Sequence, residues 1–194
     1  MASLLSHCAA PPQQPVQTLN AKQHPIPAWE RHYTELKNLH AWHAKGRLAA
    51  SNSKEGGSAA FDWQQEHLNY QIKFVGAFGA GSAILVGTPH LVTLQDSQGK
   101  FKQAQSPEVL MNHLAGWHIP LTGLQYWVKG MPMPDQPTKT LDVDTEGRLI
   151  HLAQLGWDIE YSAYSPTQTI SLPGKINLVN NQLKVKLVIK QWHI

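Results

Sequence analysis

With 194 residues, 42% of them hydrophobic and seven tryptophans, the chain fits one domain with a sizeable core and leaves no length for a second. Charged residues make up 15% and the net charge is +3, with a pI near 9.0. So mild and scattered a charge excludes a nucleic-acid footprint but leaves room for attraction to an acidic partner or an anionic membrane surface, and no segment offers the roughly 20 apolar residues of a transmembrane helix.

The single cysteine, Cys8, excludes an internal disulfide framework and any multi-cysteine metal site. It follows Leu5-Ser6-His7 and precedes Ala9-Ala10-Pro11-Pro12, which resembles the processing box of bacterial lipoproteins, where a leucine stands three residues before the lipid-modified cysteine. His7 replaces the usual small residue, and the residues before Cys8 are too few for a charged start and an apolar signal core, which implies a truncated or reassigned start. Residues 9 to 27 carry prolines at 11, 12, 15, 25 and 27 among glutamines. They read as an extended linker able to stretch roughly 50 Å. Residues 1–27 are therefore taken as attachment region and tether, and 28–194 as the folded domain.

Pro27 opens a helical pattern in which Trp29, Tyr33, Leu36, His40 and His43 form one stripe. His40 and His43 have a spacing that suits a metal, but no acidic or cysteine partner is nearby, so no metal is expected. Strands follow: His43 to Ser51, then Ser58 to Gln65 with Phe61 and Trp63 on one side, with a turn at Gln65-Glu66-His67.

Leu68 to Leu94 reads as strand, apolar tip, strand. Leu68, Tyr70, Ile72 and Phe74 alternate with Asn69, Gln71 and Lys73, which predicts one apolar and one wet face. The tip, Val75 to Ser82, has three glycines, no charge and one large hydrophobe, Phe78, either tucked under the body or left exposed on purpose. Its glycines are not a nucleotide loop, because neither a helix pattern nor Gly-Lys-Ser/Thr follows. Further strands are expected at Leu91 to Gln95 and Lys100 to Ala104.

Ser106-Pro107-Glu108 is a helix start, followed by Val109, Leu110, His113 and Leu114, with Gly116 as the stop. A second short helix runs from Pro120 with Leu121, Leu124, Trp127 and Val128 on one face, ended by Gly130 and Pro132. Strands at Lys139 to Val143, Arg148 to Ala153, Trp157 to Ala163, Thr169 to Val179 and Leu183 to Gln191 complete about eleven. Short strands with regular turn signals predict a mainly β protein with some α, an antiparallel sandwich or an open, incomplete barrel. A sheet that wide can enclose an apolar cavity lidded by the N-terminal helix and the two short helices.

The segment Ile119-Pro120-Leu121-Thr122-Gly123-Leu124-Gln125-Tyr126-Trp127-Val128-Lys129-Gly130-Met131-Pro132 resembles the Ile-Pro-Leu, Leu-x-x-Trp, Gly-x-Pro pattern of the LolB family of outer-membrane lipoprotein receptors of Gram-negative bacteria. The likeness extends through Asn38-Leu39 to Arg47, Phe61 to Gln65, Tyr70 to Val86, Trp157 to Tyr164 and Leu172-Pro173 to Trp192. It implies a half-open barrel that accepts acylated lipoproteins from the periplasmic carrier LolA and releases them into the outer membrane. It also implies a monomer, lipid-anchored through Cys8 on the periplasmic face, with no cofactor. In that family an exposed leucine on a protruding loop serves release, and Phe78 occupies the corresponding position, with Ala77 where a proline is common.

The expected cavity lining is Trp63, Ile72, Phe74, Leu121, Leu124, Trp127, Trp157, Tyr161, Val185 and Leu187, although read singly each is first a plain core residue. A ligand-retaining binding protein with no delivery step shares the cavity but gives no use to Phe78 or an acylated Cys8. An enzyme is not expected, since neither Gly-x-Ser-x-Gly nor His-Glu-x-x-His is present and the carboxylates fall in turns and on wet strand faces.

Overall fold

A computed structural model describes residues 17–18, 27–76, 81–115 and 120–194, with the backbone alone described at 17–18 and 112–115. β1 (Gln17–Thr18) precedes α1 (Pro27–Asn38), and an antiparallel run follows: β2 (Ala41–Ser51), β3 (Gly56–Glu66), β4 (Asn69–Val75), β5 (Ser82–Gly87), β6 (Val92–Gln95) and β7 (Phe101–Ala104). Two helices, α2 (Pro107–Ala115) and α3 (Leu121–Trp127), interrupt before β8 (Thr138–Val143), β9 (Leu149–Gln154) and β10 (Trp157–Ser162). β11 (Ser165–Pro166), β12 (Ser171–Leu172), β13 (Lys175–Val179) and β14 (Lys184–His193) end the chain.

Twelve strands form one sheet in the order β1-β8-β9-β10-β13-β14-β2-β3-β4-β5-β6-β7, and β11-β12 form a separate ribbon. Every pairing in both is antiparallel. β1 and β7 do not pair with each other, so the barrel is incomplete. The order explains the helices. Leaving β7 at one edge, the chain must reach β8 near the other, and α2 and α3 carry it over the apolar face, where a bare loop would leave backbone polar groups unsatisfied.

Alternation sets the two faces. β10 is buried at Trp157, Ile159 and Tyr161 and exposed between them, and β14 is buried at Val185, Leu187 and Ile189. A bulge between Ile189 and Gln191 then shifts the parity of β14 by one residue. Trp192 is thereby brought inward, its ring 5.5 Å from that of Trp42 and its Nε1–H donating to the Pro173 carbonyl at 3.0 Å.

The structure corrects several sequence expectations. The first strand begins at Ala41, not His43, because α1 ends at Asn38; the His40 and His43 pair therefore shares no helix face. His40 stacks on His67 at 5.2 Å, and His43 Nε2 bonds Asp62 at 2.7 Å. Leu68 is 54% exposed in the β3–β4 turn, where His67 has a left-handed φ of 55°, so it does not belong to the strand. The stretch read as one strand from Thr169 to Val179 divides at Pro173 and Gly174 into β12 and β13, as the missing proline N–H requires. The Lys100 strand starts one residue later, at Phe101. Gln17 and Thr18 pair with Val143 and Asp142, adding an edge strand from within the proline-rich stretch.

Candidate functional site

The ladder register brings the expected lining residues into rows. Trp63 lies opposite Ile72, which lies opposite Leu85; Phe61 faces Phe74; Tyr161, Ile176, Leu187 and Leu48 form a row across four strands, and Leu178 faces Val185. α3 adds Leu121, Leu124 and Trp127 from one of its faces, and the Trp127 ring lies 6.5 Å from Trp157. All ten residues belong to one apolar cluster, and none exceeds the 6% exposure of Trp157.

Trp63, Ile72 and Leu121 also open onto a cleft of about 270 Å³, shared with Leu68, Tyr70, Pro107 and Gln125. A second cleft, also of about 270 Å³, is lined by Leu39, Trp42, Gln65, Tyr126, Lys129 and Met131, and both clefts touch Leu68 and Gln125. Each is just below the roughly 300 Å³ at which small-molecule sites begin, so a long acyl chain needs more room than either provides. Phe74, Leu124, Trp127, Trp157, Tyr161, Val185 and Leu187 line neither cleft and pack in the core around them.

Sequence reasoning did not single out Leu68, Tyr70 and Gln125 as cleft residues. Alternation extends the strand pattern back to Leu68, and Gln125 is the polar residue between two apolar positions of the α3 stripe. Tyr70 lies over Gly87, where an added Cβ would come within 2.1 Å of its ring, so only glycine admits the ring there. Its buried hydroxyl has no hydrogen-bond partner among the described residues, and burial, aided by Glu108, pushes its pKa far up.

Three polar side chains hold the covering helices in place. Thr122 donates to Glu108 Oε1 through its backbone N–H at 2.9 Å and its hydroxyl at 2.8 Å, while Ser106 Oγ donates to Oε2 at 2.5 Å. Pro120 gives α3 no side-chain cap, so the α2 carboxylate serves instead. Burial alone would raise the Glu108 pKa, but these hydrogen bonds outweigh it and hold the carboxyl below its ordinary range.

Gln154 Oε1 accepts from Trp127 Nε1–H at 2.9 Å and from Met133 N–H at 2.8 Å, and its amide nitrogen donates to Met133 O and Gln136 O. Lys129 Nζ donates at 3.1 Å to the carbonyls of both Leu36 and Leu39 at the end of α1, and burial pulls its pKa down to about 8.

The backbone N–H of Gly76 donates to the Gly81 carbonyl at 2.7 Å, closing the β4–β5 ladder. Phe78 and Cys8 lie outside the described residues. Among the described residues no group of three or more His, Cys, Asp or Glu is placed to hold a metal, and no helix is long and apolar enough to cross a membrane.

Residues 40–192 match the family model described as outer membrane lipoprotein LolB. The outer-membrane lipoprotein LolB of Chromohalobacter salexigens is 34% identical over 194 residues, covering 100% of this chain and 87% of that protein. That of Stutzerimonas stutzeri is 36% identical over 193 residues, covering 99% and 91%. Among solved structures, a LolA superfamily protein of Nitrosomonas europaea superposes with a TM-score of 0.55 at 6% identity, covering 88% of this chain and 94% of that one, a likeness of fold.

Proposed function

This chain belongs to the LolB family of outer-membrane lipoproteins, with a role in lipoprotein localisation, and from that membership we propose how it acts. It accepts the acyl chains of a lipoprotein from the periplasmic carrier LolA between its covering helices and the apolar sheet face. It then inserts them into the phospholipid surface of the outer membrane, working as a monomer anchored through an acylated Cys8.

Moving one acyl chain of about 14 methylenes through water costs on the order of 11 kcal/mol, at about 0.8 kcal/mol per methylene. A protein that shelters the chain removes most of that barrier. No chemical energy is consumed if each successive site, carrier, receptor and bilayer, binds the chain better than the one before. Because each cleft holds about 270 Å³, acceptance moves α3 outward and lets acyl methylenes replace Leu121, Leu124 and Trp127 against the sheet. The lining is then the ten core-facing residues, and Phe78 at the β4–β5 tip enters the membrane interface. One phenylalanine contributes roughly 1.5–3 kcal/mol there, enough to guide delivery and too little to anchor the protein.

The observation that carries this reading is a family match running from β2 to Trp192 of β14 together with an apolar cleft at the seam between the sheet and α3. Its test is reconstitution. Purified protein is mixed with carrier loaded with a radiolabelled triacylated lipoprotein and with vesicles, and label in the vesicle fraction is counted. The expected result is label that moves first to this protein and then to vesicles. Label retained on this protein in the presence of vesicles would instead identify a ligand-storing protein.

A further inference from the structure

The outward face of the sheet is charged unevenly. β14 turns Lys184, Lys186 and Lys190 outward, β2 beside it Lys45 and Arg47, and β4 Lys73. The register sets Lys186 opposite Ala49, Val188 opposite Arg47, and Asp62 between Lys45 and Lys73, while Lys175 of β13 lies opposite Val188. The only outward carboxylates of β13, β14, β2, β3 and β4 are Asp62 and Glu66. Asp62 is engaged by Lys45 at 3.0 Å and His43 at 2.7 Å. Acidic residues begin on the strand beside the belt: Glu160 of β10 lies opposite Asn177 of β13, and Asp158 of β10 and Asp142 of β8 hold His151 between them at 3.1 and 3.2 Å.

Beside this belt the same face exposes hydrophobes. Val75 is 62%, Val86 42% and Phe101 66% exposed, and the row from Lys73 passes through Ile84 and Gln95 to Phe101. An open groove of about 500 Å³ among Lys45, Arg47, Lys73, Val75 and Lys190 marks the junction.

We propose that this outward face, the cationic belt of β13, β14, β2 and β4 together with Val75, Val86 and Phe101, docks onto anionic phospholipid headgroups and so orients the protein on the membrane. The composition favours lipid over an acidic protein. Six of the seven cations are lysines, point charges without arginine's planar fork, and lysine is depleted in protein interfaces. Near an anionic bilayer each basic side chain strengthens binding about fivefold, and adjacent exposed hydrophobes enter the headgroup boundary. The inference rests on the membrane role proposed above.

The test is sedimentation of the full chain with vesicles of phosphatidylcholine alone or with about 30% phosphatidylglycerol, at low and high salt. Binding that requires phosphatidylglycerol and weakens steeply with salt is expected. Lys184→Gln/Lys186→Gln lowers it on the order of 25-fold, from fivefold per cation. Lys139→Gln, on β8 outside the belt, leaves it unchanged, and matching melting temperatures confirm that all variants fold. Equal binding to both vesicle types, or no loss in the double variant, overturns the proposal. So does normal vesicle binding by a double variant that no longer receives lipoprotein from the carrier, since the belt would then serve an acidic protein. Full lipoprotein transfer to phosphatidylcholine vesicles in either case leaves the delivery function standing without the belt.

Discussion

Two buried ionisable side chains give the protein measurable pH dependences. His32 of α1 is buried with Nε2 unpartnered among the described residues, and burial lowers its pKa to about 4 from 6.5, against the opposing pull of Asp144. Between those values the unfolded chain binds the proton and the folded chain does not, so stability falls as pH drops from 6.5 toward 4. His32→Leu is expected to flatten that fall, read as urea midpoints at pH 7.5 and 5; an unchanged slope would show that another group carries it. Lys129, lowered to about 8 from 10.5, obeys the same inequality at higher pH: stability rises as pH goes up through that interval. Lys129→Met removes that rise and takes the ammonium hydrogen bonds from the Leu36 and Leu39 carbonyls, of which Leu36 O keeps the Leu39 N–H at 3.3 Å, a cost of about 1–3 kcal/mol in urea titration. None of this was legible beforehand. His32 and Lys129 are ordinary polar letters, and only the docking of α1 near β8 and β9 and on the end of α3 buries them.

Among the elements, strands were more legible than their ends. Alternation located β4, β10 and β14 because one face is buried and the other wet, whereas Leu68, Pro173 and the end of α1 depended on turn geometry that a hydrophobic pattern does not encode. The α3 stripe was read correctly, but its cap was not, since Glu108 and Thr122 belong to different helices. Glu108→Gln is expected to cost about 1–2 kcal/mol at neutral pH. Because the folded carboxyl is held below its unfolded value, the difference from wild type shrinks as pH falls through the folded pKa. Thermal melts of both proteins across that interval check the sign. If α3 moves to admit acyl chains, the same substitution also speeds uptake from the carrier. At the β4–β5 tip, Phe78→Glu is expected to leave uptake intact and to slow delivery to vesicles by roughly tenfold or more, in line with losing 1.5–3 kcal/mol of apolar insertion. Unchanged delivery would remove that side chain from the mechanism.

As a whole, the described residues form a twelve-stranded sheet whose edge strands β1 and β7 do not pair with each other, with a cleft of about 270 Å³ between its apolar face and α3. The count of eleven strands came close because each has its own turn signal. The strand order was beyond reach, since β14 pairing with β2 joins the two ends of the chain through contacts far apart in sequence. So was the degree of filling: the same ten side chains suit a hollow lining and a packed core, and they lie in one cluster at no more than 6% exposure.

Photo-cross-linking from that face decides between lining and plain core. A photoreactive amino acid is placed singly at Leu121 and Val185, which face inward, and at Lys186, which faces out, and each protein is loaded by the carrier with a lipoprotein bearing radiolabelled acyl chains. Labelled adducts at Leu121 and Val185 and none at Lys186 are predicted. Adducts confined to Lys186 would contradict the account, because the acyl chains would then travel outside the barrel.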